Sequence, residues 1–288
     1  MNYKITFIYL LFPIIALSGE FTLTMDNDIV GHSDRHYTHG TKFSNAIEYK
    51  PDTYWELSIA QYMYTPDNID SIGKIIGDRP YAGWLYLGNM LSFREGESQK
   101  SIELDIGTTG ENSLSDQTQI WVHNKLDNKE PKGWHNQLDS KLGINVSLID
   151  KYKHRTVHTD LIYGWNMSAG NIHSSFGLGG LFRFGYNIPD NFGHTKMEPT
   201  VRFKNDYGTY VFVGLEGRYV EYNTFLQGSN AEEEYQITKE DFVGEFYMGL
   251  GGFYKAINLI YSYNIRGKEF EEQDSINKYG PIIFAIKY

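Results

Sequence analysis

The sequence contains no cysteine, which excludes disulfide scaffolds, thiolate zinc sites and cysteine nucleophiles. After residue 17 it has no run of 18 apolar residues, which argues against a bundle of transmembrane helices. Lys and Arg (26) are outnumbered by Asp and Glu (36), so the net charge of −10 argues against nucleic acid as a partner. Proline is also scarce, with 8 residues against 29 Gly and 23 Tyr. This composition favours extended, aromatic-rich strands, and the 288-residue chain is predicted to be all-β.

The N-terminus has the pattern of a secretory signal peptide. Residues 1–4 form a short cationic start, residues 5–17 are largely apolar, and Ala16-Leu17-Ser18 is a small-x-small cleavage site. We predict a signal peptide over 1–18 and one exported domain over 19–288. The alternative, a retained anchor, is disfavoured because the apolar stretch is too short to span about 30 Å of hydrocarbon.

From Gly19 onward, apolar and polar residues alternate in blocks of roughly ten, as in transmembrane β-barrels. A water-soluble β-sandwich also alternates, but the apolar faces here are rich in aromatic residues and the chain ends on Tyr288 in an amphipathic strand. We therefore predict a twelve-stranded antiparallel transmembrane β-barrel in the bacterial outer membrane. The predicted strands are 20–28, 38–49, 54–65, 81–94, 99–110, 137–149, 155–169, 174–187, 208–222, 241–253, 255–267 and 279–288.

The even number of strands places both termini on the periplasmic side. The stretch 195–205 could be a further strand, and we assign it to a long connection so that this parity holds. The polar clusters then fall on the extracellular rim, in connections predicted at 29–37, 66–80, 111–136, 170–173, 223–240 and 268–278.

Three rim clusters carry candidate chemistry. Asp26-Asn27-Asp28 offers the hard oxygen ligands that Ca²⁺ prefers, although Asx-turn chemistry explains the same residues. Arg79 could bind an anionic head group or pair with a rim carboxylate. Residues 114–127 suit a short helix on which Gln119 and His123 share a face, and a histidine there can act as a general base near neutral pH.

These motifs resemble the outer-membrane lipid A 3′-O-deacylases, the LpxR family. The matching pieces occur in family order between the first predicted strand and residue 138. They are Asp26-Asn27-Asp28 with Gly31, Asp34-Arg35, Tyr37-Thr38-His39-Gly40, Asp78-Arg79-Pro80-Tyr81-Ala82-Gly83, Gln119-x-x-x-His123, and Gly133-Trp134-His135-Asn136-Gln137-Leu138.

The resemblance implies Ca²⁺-dependent hydrolysis of the 3′-linked acyloxyacyl chain of lipid A in the outer leaflet. It implies His123 as the base that activates water, Gln119 as a group that orients water or substrate, and metal and oxyanion contacts by Asn27, Asp28 and Thr38. The family has a functional lysine before Asp78-Arg79, where this sequence has Ser71 and Lys74 and neither aligns cleanly.

Lys74 and Arg79 are therefore the candidates for binding the lipid phosphates. Two other functions stay open on the residues: a phospholipase of the same membrane, or a non-enzymatic small porin or adhesin. The sequence also leaves the oligomeric state open.

Overall fold

The computed structural model describes residues 19–27, 36–193 and 205–288 of the chain. At residues 27, 36 and 37 it describes the backbone only. The predicted signal peptide, Asp28 and nearly all of the 195–205 stretch lie outside the described residues. Within these ranges, no helix combines the length and apolarity needed to cross a bilayer.

The described residues form a closed antiparallel barrel with short helices in its connections. The strands are β1 (Gly19–Asn27), β2 (His36–Lys50), β3 (Thr53–Thr65), β4 (Ala82–Glu95), β5 (Ser98–Thr109), β6 (Leu142–Arg155), β7 (Thr159–Gly170), β8 (His173–Tyr186), β9 (Tyr207–Asn223), β10 (Phe242–Tyr254), β11 (Ile257–Arg266), β12 (Asn277–Tyr279) and β13 (Ile282–Lys287). The helices are α1 (Ser115–Leu126), α2 (Thr224–Gln227) and α3 (Ala231–Tyr235).

From β1 to β12 each strand pairs with the next one in sequence, and β1 closes the barrel by pairing with β13. Both β12 and β13 pair with β11, so they are two segments of one strand. The described residues therefore give twelve strands around the barrel, which confirms the predicted fold. Gly19 and Tyr288 exchange backbone hydrogen bonds of 3.1 and 2.9 Å at the seam, so the C-terminal aromatic residue completes the closure.

The alternation of the sequence separates two environments. Apolar side chains such as Phe21, Leu87 and Phe182 are exposed on the outer face, where lipid surrounds a barrel of this kind. Polar side chains point inward and pair, as in the Lys42–Glu56 ion pair at 2.9 Å and the Arg183–Asp160 pair at 2.6 Å. Charges buried in this way need such partners, so the interior is a polar network.

Three boundaries of two neighbouring strands differ from the prediction, namely both ends of β6 and the start of β7. The strand expected at 137–149 is β6, which begins five residues later because residues 138–141 bond to earlier elements. Leu138 N–H donates to the Tyr81 carbonyl (2.9 Å), and Thr109 bonds to the carbonyls of Asp139 and Lys141. The strand expected at 155–169 is β7, whose start moves to Thr159 because β6 extends further.

Side chains occupy both ends of the barrel. At the extracellular end, α2 and α3 bury Phe225, Leu226 and Tyr235 against residues of β4, and the Phe225 ring stacks on Tyr64 at 4.5 Å. At the periplasmic end, Phe192 is 1% exposed and lies 4.4 Å from the Lys153 ammonium. A cavity of about 300 Å³, lined by both charged and aromatic side chains, remains between the two ends.

Candidate active site

Helix α1 lies against the outer face of the barrel wall. Trp84 and Tyr86 of β4 line the interior cavity, so Gly83 presents the opposite, outer face. A Cβ atom on Gly83 would lie 2.0 Å from Ser113 Oγ and 2.3 Å from Ser115 Oγ. Only glycine permits this approach, and it brings the start of α1 directly onto the wall.

The wall under α1 is a row of residues across four strands. Backbone pairing joins Asn27 to His39, His39 to Met63, and Met63 to Gly83. Met63 is 1% exposed although it faces outward, and the neighbouring Gln61 donates a 2.7 Å hydrogen bond to the Ser113 carbonyl. The β1 end of this row therefore lies at the same height as the start of α1.

A β-bulge in β2 places Thr38 at this row. The register shifts between Tyr37 and His39, so Thr38 is an extra residue in the strand. Its hydroxyl lies 2.6 Å from that of Thr65, which shares the outer face of β3 with Met63. Thr38 is buried, and the bulge directs its side chain to the outer side of the wall.

Gln119 and His123 lie on the buried face of α1, together with Ser115. Gln119 is 3% exposed and His123 is 6% exposed. The His123 Nδ1 atom contacts the Lys129 carbonyl oxygen, which can only accept a hydrogen bond. Nδ1 therefore carries the proton in the neutral ring, and the lone pair on Nε2 can accept a proton.

The segment that holds His123 is bonded to the connection between β3 and β4. Lys132 N–H donates to the Ile69 carbonyl at 2.9 Å, and Lys129 Nζ contacts Asp70 at 2.9 Å. The hydrogen bond and charge of Lys129 lower the pKa of Asp70, and Asp70 in turn raises the pKa of Lys129. The backbone carbonyl that orients His123 is thus fixed from outside α1.

Arg79 and Lys74, the two candidates for binding the lipid phosphates, lie outside the buried face of α1. Arg79 is fully buried inside the barrel, where it pairs with Glu269 at 3.1 Å and covers the Tyr64 ring at 4.5 Å. Lys74 is half exposed and pairs with Glu234, with its ammonium 5.4 Å from the Tyr235 ring. Arg79 is thus enclosed by the barrel and paired with a carboxylate, whereas Lys74 remains reachable from the surface.

The cluster Asp26-Asn27-Asp28 is described only in part. Asp26 lines the interior cavity, while the Asn27 side chain and Asp28 lie outside the described residues. Among the residues that the structure describes, no three His, Asp or Glu side chains come together as a metal cluster. The donor set expected at the β1 end, with amide, carboxylate and hydroxyl oxygens, has the chemistry that suits a hard divalent cation.

Sequence reasoning did not assign a role to three groups that the structure brings to this site. They are the Thr65 hydroxyl, the Lys129 carbonyl and the Trp134 indole, which donates to Gln119. Trp134 stood inside a matched motif, but neither spacing nor charge marked it. A backbone carbonyl leaves no trace in side-chain identity, so the Lys129 contact needs the three-dimensional structure.

The family model described as "Outer membrane protein LpxR" matches residues 5–288. The chain belongs to the LpxR family. A comparison with curated proteins finds no significant match. The solved structure of LpxR from Salmonella typhimurium superposes with a TM-score of 0.82 at 19% sequence identity, covering 93% of this chain and 99% of that one.

The matched family is described as an outer membrane protein and the chain folds as a closed β-barrel, which together indicate the bacterial outer membrane. An outer membrane channel from Pseudomonas putida F1 is a more distant match. It has a TM-score of 0.48 at 10% identity and covers 94% of this chain and 96% of that one.

Proposed function

We propose that the protein is a lipid A 3′-O-deacylase that hydrolyses the ester of the 3′-linked acyloxyacyl chain. The observation that carries the proposal is the buried pair of Gln119 and His123 on α1, packed on the outer side of the barrel wall. A lipid of the outer leaflet reaches that side without entering the barrel. Membership of the LpxR family supports the same substrate class.

His123 is suited to the role of general base. With its Nδ1 proton held by the Lys129 carbonyl, Nε2 takes a proton from water as the water oxygen attacks the ester carbonyl carbon. The same imidazolium then returns the proton to the leaving sugar oxygen as the C–O bond breaks. The products are a free carboxylic acid and a lipid A that bears a 3′ hydroxyl.

We further propose a Ca²⁺ ion held by Asp28, Asn27 and Thr38. When bound, such an ion polarises the ester carbonyl and stabilises negative charge on its oxygen. The proposal is supported by the oxygen donors of these three residues, and by the bulge that turns Thr38 toward the outer face.

The test is mass spectrometry of lipid A from Gram-negative membranes that contain the protein. We expect the loss of one acyloxyacyl unit from wild type, and no loss from His123→Ala or from membranes treated with a calcium chelator. His135→Ala is the matched control, because His135 is an exposed histidine of the same connection and its loss should leave deacylation intact.

An unchanged spectrum with a folded wild-type barrel would contradict the deacylase function, and release of fatty acid from phospholipid in the same membranes would favour a phospholipase. Deacylation by His123→Ala would remove His123 from the role of base. Full activity after chelation would contradict a role for Ca²⁺ in the reaction.

A further inference from the structure

The side chain of Gln119 is held by a tryptophan outside α1. Trp134 follows α1 in a short 3₁₀ turn, and its indole Nε1–H donates a 2.7 Å hydrogen bond to Gln119 Oε1. An indole can only donate, so the acceptor at this contact must be the amide oxygen. The contact therefore fixes which end of the Gln119 amide points away from Trp134.

The other end of the amide is the Nε2 group. It is buried and has no hydrogen-bond partner among the described residues. Buried amide nitrogens are almost always bonded, so this group, on the same helix face as His123, needs an acceptor oxygen from water or from a bound substrate. An NH₂ group donates and cannot accept, so the atom that meets it must be a hydrogen-bond acceptor.

Trp134 is itself rigidly placed. It is 5% exposed, and its ring packs on Tyr81 with 4.9 Å between centroids. The preceding residue, Gly133, leaves room for this packing, since a Cβ there would lie 2.5 Å from the Tyr81 ring. The direction of the indole N–H is thus set by the connection between β3 and β4.

We propose that Trp134 is a positioning residue, which locks the Gln119 amide so that Nε2 donates a hydrogen bond to the ester carbonyl oxygen of the substrate. The inference rests on the proposed function and deepens it. Gln119 then contributes to binding the developing oxyanion and does not orient the attacking water. A donor in that position acts more strongly in the transition state than in the ground state.

The first test compares Gln119→Glu with Gln119→Met. The carboxylate still accepts from Trp134 but presents an acceptor where Nε2 was, and the thioether keeps the volume without either group. We expect both variants to lose about 100-fold in kcat, as when an oxyanion donor is removed. If Gln119→Glu keeps most of the wild-type kcat, the amide acts as an acceptor and the proposal is wrong.

The second test is Trp134→Phe, which keeps an aromatic ring against Tyr81 but removes the N–H. We expect kcat to fall by about fivefold, the worth of one neutral hydrogen bond, with KM unchanged and the heat-modifiable gel mobility of a folded barrel retained. Trp121→Phe is the control, because Trp121 is 62% exposed on the opposite face of α1. An increase in KM with kcat unchanged, loss of the folded gel mobility, or an unchanged kcat would overturn the positioning role.

A double-mutant cycle separates positioning from packing. In the Gln119→Met background, Trp134→Phe should have no further effect on turnover measured over long incubations, whereas a packing role would lower it again. If wild type releases no acyl chain, the proposed function fails instead. Slow exchange of the Trp134 indole proton, and its acceleration in Gln119→Met, still reports whether the contact exists.

Discussion

Single hydroxyl groups fix the geometry of the wall beneath α1. Thr65 is fully buried and its hydroxyl contacts that of Thr38 at the bulge, so each satisfies the other away from water. The sequence motifs predicted a role for Thr38 but not for Thr65. Its partner lies 27 residues away, and only the register of β2 on β3 brings the two together.

Thr65→Val should therefore weaken the site through its neighbour. The isosteric change leaves the Thr38 hydroxyl without its partner, and we expect the free energy of unfolding to fall by about 1 kcal/mol. Deacylation should fall with it, while Thr65→Ser should behave as wild type. The measurements are urea unfolding in lipid vesicles and lipid A mass spectrometry, and indistinguishable Val and Ser variants would contradict the contact.

Among the secondary-structure elements, the strands were the most predictable part of the molecule. Period-two alternation predicted most strand boundaries to within one or two residues, because a lipid-facing and a lumen-facing side impose opposite polarity on adjacent residues. The predicted start of β6 was wrong because Leu138 does not belong to the strand. Leu138 is apolar because it packs in the cluster that closes the extracellular end. Helix α1 was also predicted, but the side of the wall on which it lies was not.

The position of α1 depends on Gly83. Gly83→Ala introduces a Cβ that would meet Ser113 and Ser115, so we expect the start of the helix to move away from the wall and deacylation to fall at least tenfold. Gly217→Ala is the matched control, since a Cβ on that strand residue meets nothing within 4 Å. Both variants should keep the heat-modifiable gel mobility of a folded barrel, and equal activities would show that α1 tolerates displacement.

At the scale of the whole molecule, the barrel has a polar interior, and side chains fill both of its ends. Arg183 forms a two-pronged contact with Asp160 and also donates to Asn191 at the periplasmic end. Phe225 and Leu226 close the extracellular end. Neither closure was predictable from alternation, because both depend on connections that fold back into the barrel.

This closure predicts that the wild-type protein does not conduct ions. In planar bilayers we expect no stable conductance steps from wild type. Arg183→Ala should produce intermittent conductance, because it releases the segment that carries Phe192. A steady conductance from wild type would contradict the closed interior and favour the porin alternative. A folded-state assay on the same samples controls for denatured protein.

The packing of α1 on the outer side of the wall also determines how such an enzyme meets its substrate. On the proposed function, the substrate travels within the leaflet, so encounters depend on the number of target lipids per unit area of membrane and not on their concentration in bulk solution. Diluting the target with inert lipid at constant total protein should slow the reaction, whereas enlarging the aqueous volume should leave it unchanged. We therefore expect the rate of the reaction to follow the surface density of the target lipid.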